Sequence, residues 1–249
     1  MTVPAETLQP LQWDADIASA AALIADSTRA AILRALLPDR PLAAGELARL
    51  AGVSAATASF HLAKLLEGGL IIVIRQGRHR YYRLAGHEVA AALEALGLIS
   101  PGLAVRSLRQ SREAAALAEA RTCYDHLAGR AGVEVLDGLL RQGLLEEKSG
   151  RTDRADTSSH RFEVTGAGAK ELGSFGLNLL QLRRSRRQFA GTCIDWTQRR
   201  SHLNGALAAA ITSRMFELGW IERGQRRRSV RVTPVGMEGL ASTFGVDLP

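Results

Sequence analysis

The sequence predicts a mainly α fold with small β-hairpins, an N-terminal winged helix-turn-helix followed by two tandem degenerate winged-helix repeats. Three observations lead there. Alanine and leucine abound, while aromatic residues make up only 5 % of the 249, a bias toward helices over stacked sheets. In the first hundred residues the apolar spacing is helical, switches to short β-branched and aromatic runs around a glycine turn, and then becomes helical again. Beyond residue 110, four short motifs recur in the same order.

The elements follow one by one. Residues 27–37 (STRAAILRALL) put Ala31, Ile32, Ala35 and Leu36 on one helical face, with Asp26 or Ser27 as cap and with Pro38 and Pro41 as the stop. A short helix is expected over Ala44–Ala51, closed by Gly52 in the left-handed region. Ser54 then caps a helix over Ala55–Glu67, whose inner face carries Leu62, Leu65 and Leu66, and Gly68-Gly69 ends it. Leu70–Arg75 and His79–Leu84 flank Gln76-Gly77-Arg78 and predict a hairpin. A last helix over Glu88–Gly97 stops at Ser100-Pro101-Gly102. This is the element order of a winged helix, expected over residues 15–99, with a linker over 100–112.

A formal charge of +7 suits a polyanionic partner. The segment Gly45–Leu70 has helix-turn-helix grammar, and its second helix begins with small polar residues, as a groove-reading helix should. Ser54, Thr57 and Ser59 can bond to phosphate or bases, and Ala55, Ala56 and Ala58 allow close approach. Lys64 and the hairpin cations Arg75, Arg78, His79 and Arg80 suit the phosphate backbone or the minor groove. A competing reading makes the same winged helix a protein-contact module, and His61 beside Leu62 a partly packed imidazole.

Five motifs carry a family resemblance: Ile24-Ala-Asp-Ser-Thr-Arg29, Gly52-Val-Ser54, Ser59-Phe-His-Leu62, Leu66-Glu-Gly-Gly-Leu70 and Gly77-Arg-His-Arg-Tyr-Tyr-Arg-Leu84. In this order they resemble the arsenical-resistance repressor (ArsR) family over the first hundred residues. The resemblance implies a homodimeric winged helix that an effector releases from an inverted-repeat operator in double-stranded DNA. It further implies that Ser54, Ala56, Thr57, Ser59 and Phe60 or His61 face DNA, with the wing around Arg78. The chain departs from the family's metal sensors. The helix before the recognition helix, Glu46–Ala51, has no cysteine, and Gly86–Leu98 offers only His87, Glu88 and Glu94. No metal is therefore expected at the usual family positions.

The second half resembles itself. His126-Leu-Ala-Gly129 recurs as His202-Leu-Asn-Gly205, and Leu139–Glu146 as Met215–Glu222. Phe162–Leu172 recurs as Val230–Leu240, and Phe175–Leu179 as Phe244–Leu248. Repeats are expected over 113–180 and 188–249, each as helix, helix, strand, wing-like loop, strand and helix. The wings fall at Gly150–His160 and around Arg223, Arg226, Arg227, Arg228 and Arg231. The counterparts of the recognition helix, Gly132–Arg141 and Ala206–Glu217, are apolar on more than one face and should be buried.

Both repeats open with Cys-x-Asp: Cys123-Tyr124-Asp125-His126, and Cys193-Ile194-Asp195-Trp196 with His202 further on. Packed with pseudo-twofold symmetry, the two Cys/His sets would share a cleft. Thiolate and imidazole suit a transition metal or haem, or thiol-based sensing. Tyr124 and Trp196 could instead line a small-molecule effector pocket, and plain core packing is the remaining reading. No cofactor is singled out. An enzyme would need Cys123 and His126, three apart on a helix, as a nucleophilic dyad, but no oxyanion, phosphate or dinucleotide loop accompanies them. The chain lacks an apolar run of the ~18 residues a span requires, and MTVPAETLQP lacks a signal pattern. A cytoplasmic protein with two reduced thiols and no membrane partner is expected.

Overall fold

The computed structural model describes residues 15–101, 107–148, 161–224 and 228–248. The chain forms two units, one from the segments up to Ala35 and Pro41–Ala85, the other from Leu36–Arg40 and Gly86 onward.

The first unit contains α1 (Ile17–Ala25), α2 (Ser27–Leu36), β1 (Leu42–Ala43), α3 (Ala44–Ala51), α4 (Ala55–Glu67), β2 (Ile71–Gln76) and β3 (His79–Leu84). Asp26 ends α1 and caps α2, its carboxylate accepting from the Arg29 amide at 2.8 Å. Gly52 closes α3 at φ +69°, a conformation that suits glycine because it has no Cβ. Ser54 caps α4, its hydroxyl accepting from the Thr57 amide at 3.1 Å. Ala58, Leu62 and Leu65 are the buried stripe of α4 and Leu47 is that of α3. Each leucine so buried is worth about 1.5–3 kcal/mol. The sheet runs β1-β3-β2, and the β2–β3 hairpin turns at Gly77-Arg78 with Gly77 at φ +58°. This is the winged helix expected from sequence, with boundaries shifted by a residue or two. Two elements had no sequence signal strong enough to be expected: α1, and the two-residue β1, which exists only by pairing with Tyr81 and Tyr82.

The second unit begins with α5 (His87–Ile99) and α6 (Leu108–Glu119). Ser107 caps α6, whose residues 108–112 fall at the end of the stretch expected as a linker; residues 102–106 lie outside the described residues. Then follow β4 (Arg121–Cys123), β5 (His126–Ala128), α7 (Gly129–Arg141), β6 (Leu145–Glu147), β7 (Phe162–Val164), α8 (Gly166–Ser174) and α9 (Leu179–Arg183). The chain continues through β8 (Gly191–Ile194), β9 (Ser201–Asn204), α10 (Gly205–Glu217), β10 (Ile221–Arg223), β11 (Val230–Val232) and α11 (Pro234–Phe244). The strands pair as four separate hairpins. The expected wing at Gly150–His160, and Arg226 and Arg227 of the other, lie outside the described residues.

One expectation is corrected. Cys123 and His126 do not meet on a helical face. They are cross-strand partners in the β4–β5 hairpin, joined by the two-residue turn Tyr124-Asp125. The strands are three residues long, too short for alternation to reveal them. Gly129 explains why a helix cannot start earlier. It sits at φ +75°, and a Cβ there would lie 2.9 Å from the Ala118 carbonyl oxygen.

Packing in this unit is crossed. Helix α7 lies against β9 and helix α10 against β5, while β5 and β9 also touch. The Leu127 amide donates to Thr212 Oγ1 of α10 at 2.9 Å, which stitches one crossing. A single apolar core results, from Leu127, Val135 and Leu139 through Phe175 to Leu207, Ile211 and Phe244. Helices α7 and α10 are largely buried in it.

Candidate functional site

Two groups of residues carry chemistry, one in each unit. In the first, Ser54, Ala56, Thr57, Ser59, Phe60 and Lys64 form the exposed face of α4. Phe60 is 57 % exposed, and the Lys64 ammonium lies 4.8 Å from its ring centre. The hydroxyls are partly engaged already. Ser54 Oγ is 2.9 Å from Thr57 Oγ1, and Ser59 Oγ donates to the Ala55 carbonyl at 2.9 Å. His61 turns away from this face, its Nδ1 lying 3.5 Å from Asp26 Oδ1. On the wing, Arg75, Arg78, His79 and Arg80 are all exposed. Arg75 and Arg80 are direct cross-strand partners. Like charges in that register cost a few tenths of a kcal/mol or more, about 0.2–1, unless a polyanion compensates them.

In the second unit the crossed packing gathers Cys123, His126, Cys193 and His202. One ligating atom from each lies within 4.8 Å of all the others. Each cysteine faces its histidine across a hairpin, Cys123 with His126 and Cys193 with His202. The imidazoles stack with centroids 5.2 Å apart. Three of the four residues are buried and Cys193 is half-buried. A cavity of about 30 Å³ opens beside them, walled by Tyr124, Gln188, Asn204 and the α5 residues Ala90 and Ala91. It admits an ion or one or two waters, far below the ~300 Å³ of pockets for drug-sized ligands or haem.

The carboxylate of each Cys-x-Asp motif stands behind a histidine. Asp125 Oδ1 is 3.2 Å from His126 Nδ1, and Arg187 holds that carboxylate with two bonds, one of them 2.9 Å long. With Nδ1–H donated to Asp125, the lone pair of His126 sits on Nε2, facing the cluster. Asp195 Oδ2 lies 4.0 Å from His202 Nδ1. Its two oxygens accept from the Gly129 amide at 2.6 Å, the Thr197 amide at 2.8 Å, the Gln198 amide at 3.0 Å and Arg121 Nη1 at 3.3 Å, with Arg121 Nη2 ion-paired at 2.9 Å. Asp195 therefore has little capacity left for an effector, and it binds the two hairpins together. Trp196 stacks on Arg121, 4.8 Å from its guanidinium carbon, and lies against the face of Gly97 rather than along the cavity.

Electrostatics follow from these contacts. The Cys193 thiol is pulled down to about 3 by the Cys123 thiol that donates to it, against burial, with help from the His126 ring beside it. Cys123, the donor, is pushed up by that same bond and by burial. Burial lowers His126, but the bond to Asp125 and the Cys193 sulfur outweigh it and leave the ring raised. Burial and the neighbouring His126 push His202 down to about 3, so it is a neutral base. Asn204 Nδ2 donates to Cys193 Sγ at 3.0 Å and steadies the thiolate.

The sequence singles out Tyr124, Asp195 and Trp196 beside the Cys/His residues. Asn204 stands inside the repeated His-Leu-x-Gly motif, while Arg187 and Arg121 had no signal of their own. Asp125 did: its recurrence as Asp195, two residues after each cysteine, marks the supporting carboxylate.

Comparison with known proteins places the first unit. A family model for the helix-turn-helix domain matches residues 24–74. YdfF of Bacillus subtilis strain 168, an uncharacterized HTH-type transcriptional regulator, is 45 % identical over 221 residues, covering 89 % of this chain and 93 % of the relative. Among solved structures, the homodimeric winged helix-turn-helix DNA-binding domain of Mb0332 from Mycobacterium bovis, a possible ArsR-family regulator, is 32 % identical over 33 % of this chain and 76 % of that one, with a TM-score of 0.31. NolR from Sinorhizobium fredii is 30 % identical over 35 % of this chain and 86 % of that one, with a TM-score of 0.32. Among the described residues no helix is long and apolar enough to cross a membrane. Matched along nearly its whole length by one such regulator, the chain belongs to the helix-turn-helix transcriptional regulators, DNA-binding proteins rather than enzymes.

Proposed function

We propose that the protein is a repressor that grips an inverted-repeat operator as a homodimer and lets go when a signal reaches its C-terminal half. The observation that carries the DNA reading is the exposed face of α4. It is small and polar at the N-terminal end, and cations of the wing stand ready for phosphate. The paired Arg75 and Arg80 support it, because a polyanion relieves the repulsion between them. Dimerisation is supported by α1, which is apolar yet has no buried residue, with Ile17 75 % exposed.

The sensing reading rests on the Cys123/His126/Cys193/His202 cluster. Its small cavity favours a metal ion or a thiol-reactive signal over an organic effector. The repeated motifs give it a rationale: two duplicated hairpins, crossed, bring two Cys/His pairs to one point. Helix α5 walls the cavity through Ala90 and Ala91, and only Ala85 and Gly86 separate α5 from the wing strand β3. A change at the cluster is thus reported to a helix joined covalently to the DNA-binding unit.

The test is footprinting of the purified protein on the promoter region of its own gene. A protected inverted repeat, with half-sites about one helical turn or ~10 bp apart, supports the reading. Uniform, sequence-independent protection would sink it.

A further inference from the structure

We propose that Cys123, His126, Cys193 and His202 form a four-coordinate site for a thiophilic metal ion of the zinc class, distinct from the positions available in the winged helix. This rests on reading the C-terminal half as the sensing half, and the experiment below separates the two claims.

The donor set comes first. Two sulfurs and two imidazole nitrogens are a full complement for structural zinc, with bonds of about 2.3 Å to sulfur and about 2.0–2.1 Å to nitrogen. The edges of such a tetrahedron measure about 3.3–3.8 Å. Here the ligating atoms already lie within 4.8 Å of one another, so the longest edge closes by about 1 Å. No strand needs to move far.

Unmet polar capacity comes second. His126 Nε2 and both ring nitrogens of His202 are buried without a hydrogen-bond partner. Leaving such atoms unpaired is costly, and ligation through one nitrogen of each ring meets two of these three. A disulfide between the cysteines would leave all of these nitrogens unmet.

Support behind the ligands comes third. A metal-bound histidine ordinarily donates its other nitrogen to a carboxylate, which fixes its tautomer. Asp125 does this for His126 and is itself gripped by Arg187. Asp195 stands 4.0 Å from His202 Nδ1 in the equivalent place. Two thiolates would neutralise a dication, and two neutral imidazoles complete the site with no net charge to bury. Tyr124, in the turn between Cys123 and His126, adopts φ +61°, the kind of backbone strain that concentrates at functional sites.

The experiment uses the full chain, reduced and stripped with a chelator, titrated with Co²⁺ and then with Zn²⁺. The expected result is one Co²⁺ per chain, showing intense tetrahedral d–d bands and a sulfur-to-cobalt charge-transfer band, both erased by Zn²⁺. Cys193→Ser should abolish the charge-transfer intensity contributed by that thiolate. Asp125→Asn should keep the spectrum but weaken Zn²⁺ about 10–100-fold. Circular dichroism of each variant separates lost ligation from lost folding. Should Cys193→Ser unfold, the Asp125→Asn affinity carries the decision. An octahedral spectrum, or no saturable binding by folded reduced wild type, overturns the site. So does unchanged affinity in Asp125→Asn together with unchanged spectra in a folded Cys193→Ser. If Zn²⁺ binds as expected but operator affinity is the same with and without it, the site stands and its role as the sensor falls.

Discussion

Arg121 and Asp195 form an ion pair at 2.9 Å in which neither side chain has any accessible surface. Arg121 lies on β4 of one hairpin and Asp195 just beyond β8 of the other, so the pair locks the two Cys/His hairpins in mutual register. Glu94 of α5 joins from 3.8 Å, and Arg228 also binds Glu94. Breaking a buried pair leaves an uncompensated charge. Arg121→Ala is therefore expected to cost about 3–5 kcal/mol, read as a lower urea midpoint. An unchanged midpoint would mean that Asp195 finds its compensation among backbone amides alone.

A conformational constraint yields the second prediction. Gly205 opens α10 at φ +92°, and a Cβ there would lie 2.6 Å from the Gln188 carbonyl oxygen. Gly129 opens α7 in the matching way at φ +75°. Gly205→Ala should destabilise by more than about 1 kcal/mol, whereas Gly143→Ala, strained in φ but in open space, should cost less. Comparison of the two urea midpoints checks this, and equal losses would assign the whole effect to φ.

These glycines also show what could be read from the chain. His126-Leu-Ala-Gly129 and His202-Leu-Asn-Gly205 stood out as a repeat, and each residue of that pattern has a reason: a cluster imidazole, a core leucine and a left-handed glycine that turns strand into helix. The winged helix was legible for a similar reason, since Gly52, Ser54, Gly68 and Gly77 punctuate long periodic segments. The hairpins carrying the cysteines were not, because strands of three or four residues have too little period to read and their partners are set by tertiary packing. The crossing of α7 onto β9 and α10 onto β5 is likewise a property of the whole core. Arg187 became meaningful only once the fold placed it beside Asp125, and Asn204 only once the β8–β9 hairpin placed it beside Cys193.

The third prediction concerns the wing. Arg78 occupies the tip of the β2–β3 turn and is exposed, with no hydrogen bond or ion pair given to it by the described residues' fold. As a phosphate contact, Arg78→Ala should weaken every duplex and make the slope of log affinity against log salt shallower by about 0.9 per protomer. Gel-shift titrations over a range of salt measure it. A weakened operator with an unchanged slope would point to a base contact instead.

The fourth prediction turns on Phe60, an aromatic ring 57 % exposed on the face of α4, which touches the Lys64 ammonium and the edge of the His61 ring. Removing it takes nothing from the core, so Phe60→Ala should shift stability by no more than about 0.5 kcal/mol. Its contribution would appear on DNA, where an apolar ring in the major groove meets a thymine methyl and so distinguishes bases. Operator affinity is expected to fall while non-specific affinity stays, and the urea midpoint should not move. Lys64→Gln should show the opposite pattern, with specific and non-specific affinity falling together, because a cation over the backbone reads charge and not sequence. If Phe60→Ala leaves the ratio of specific to non-specific binding intact, the ring does not enter the groove, and sequence reading belongs to Thr57 and Ser59 at the N-terminal end of the helix.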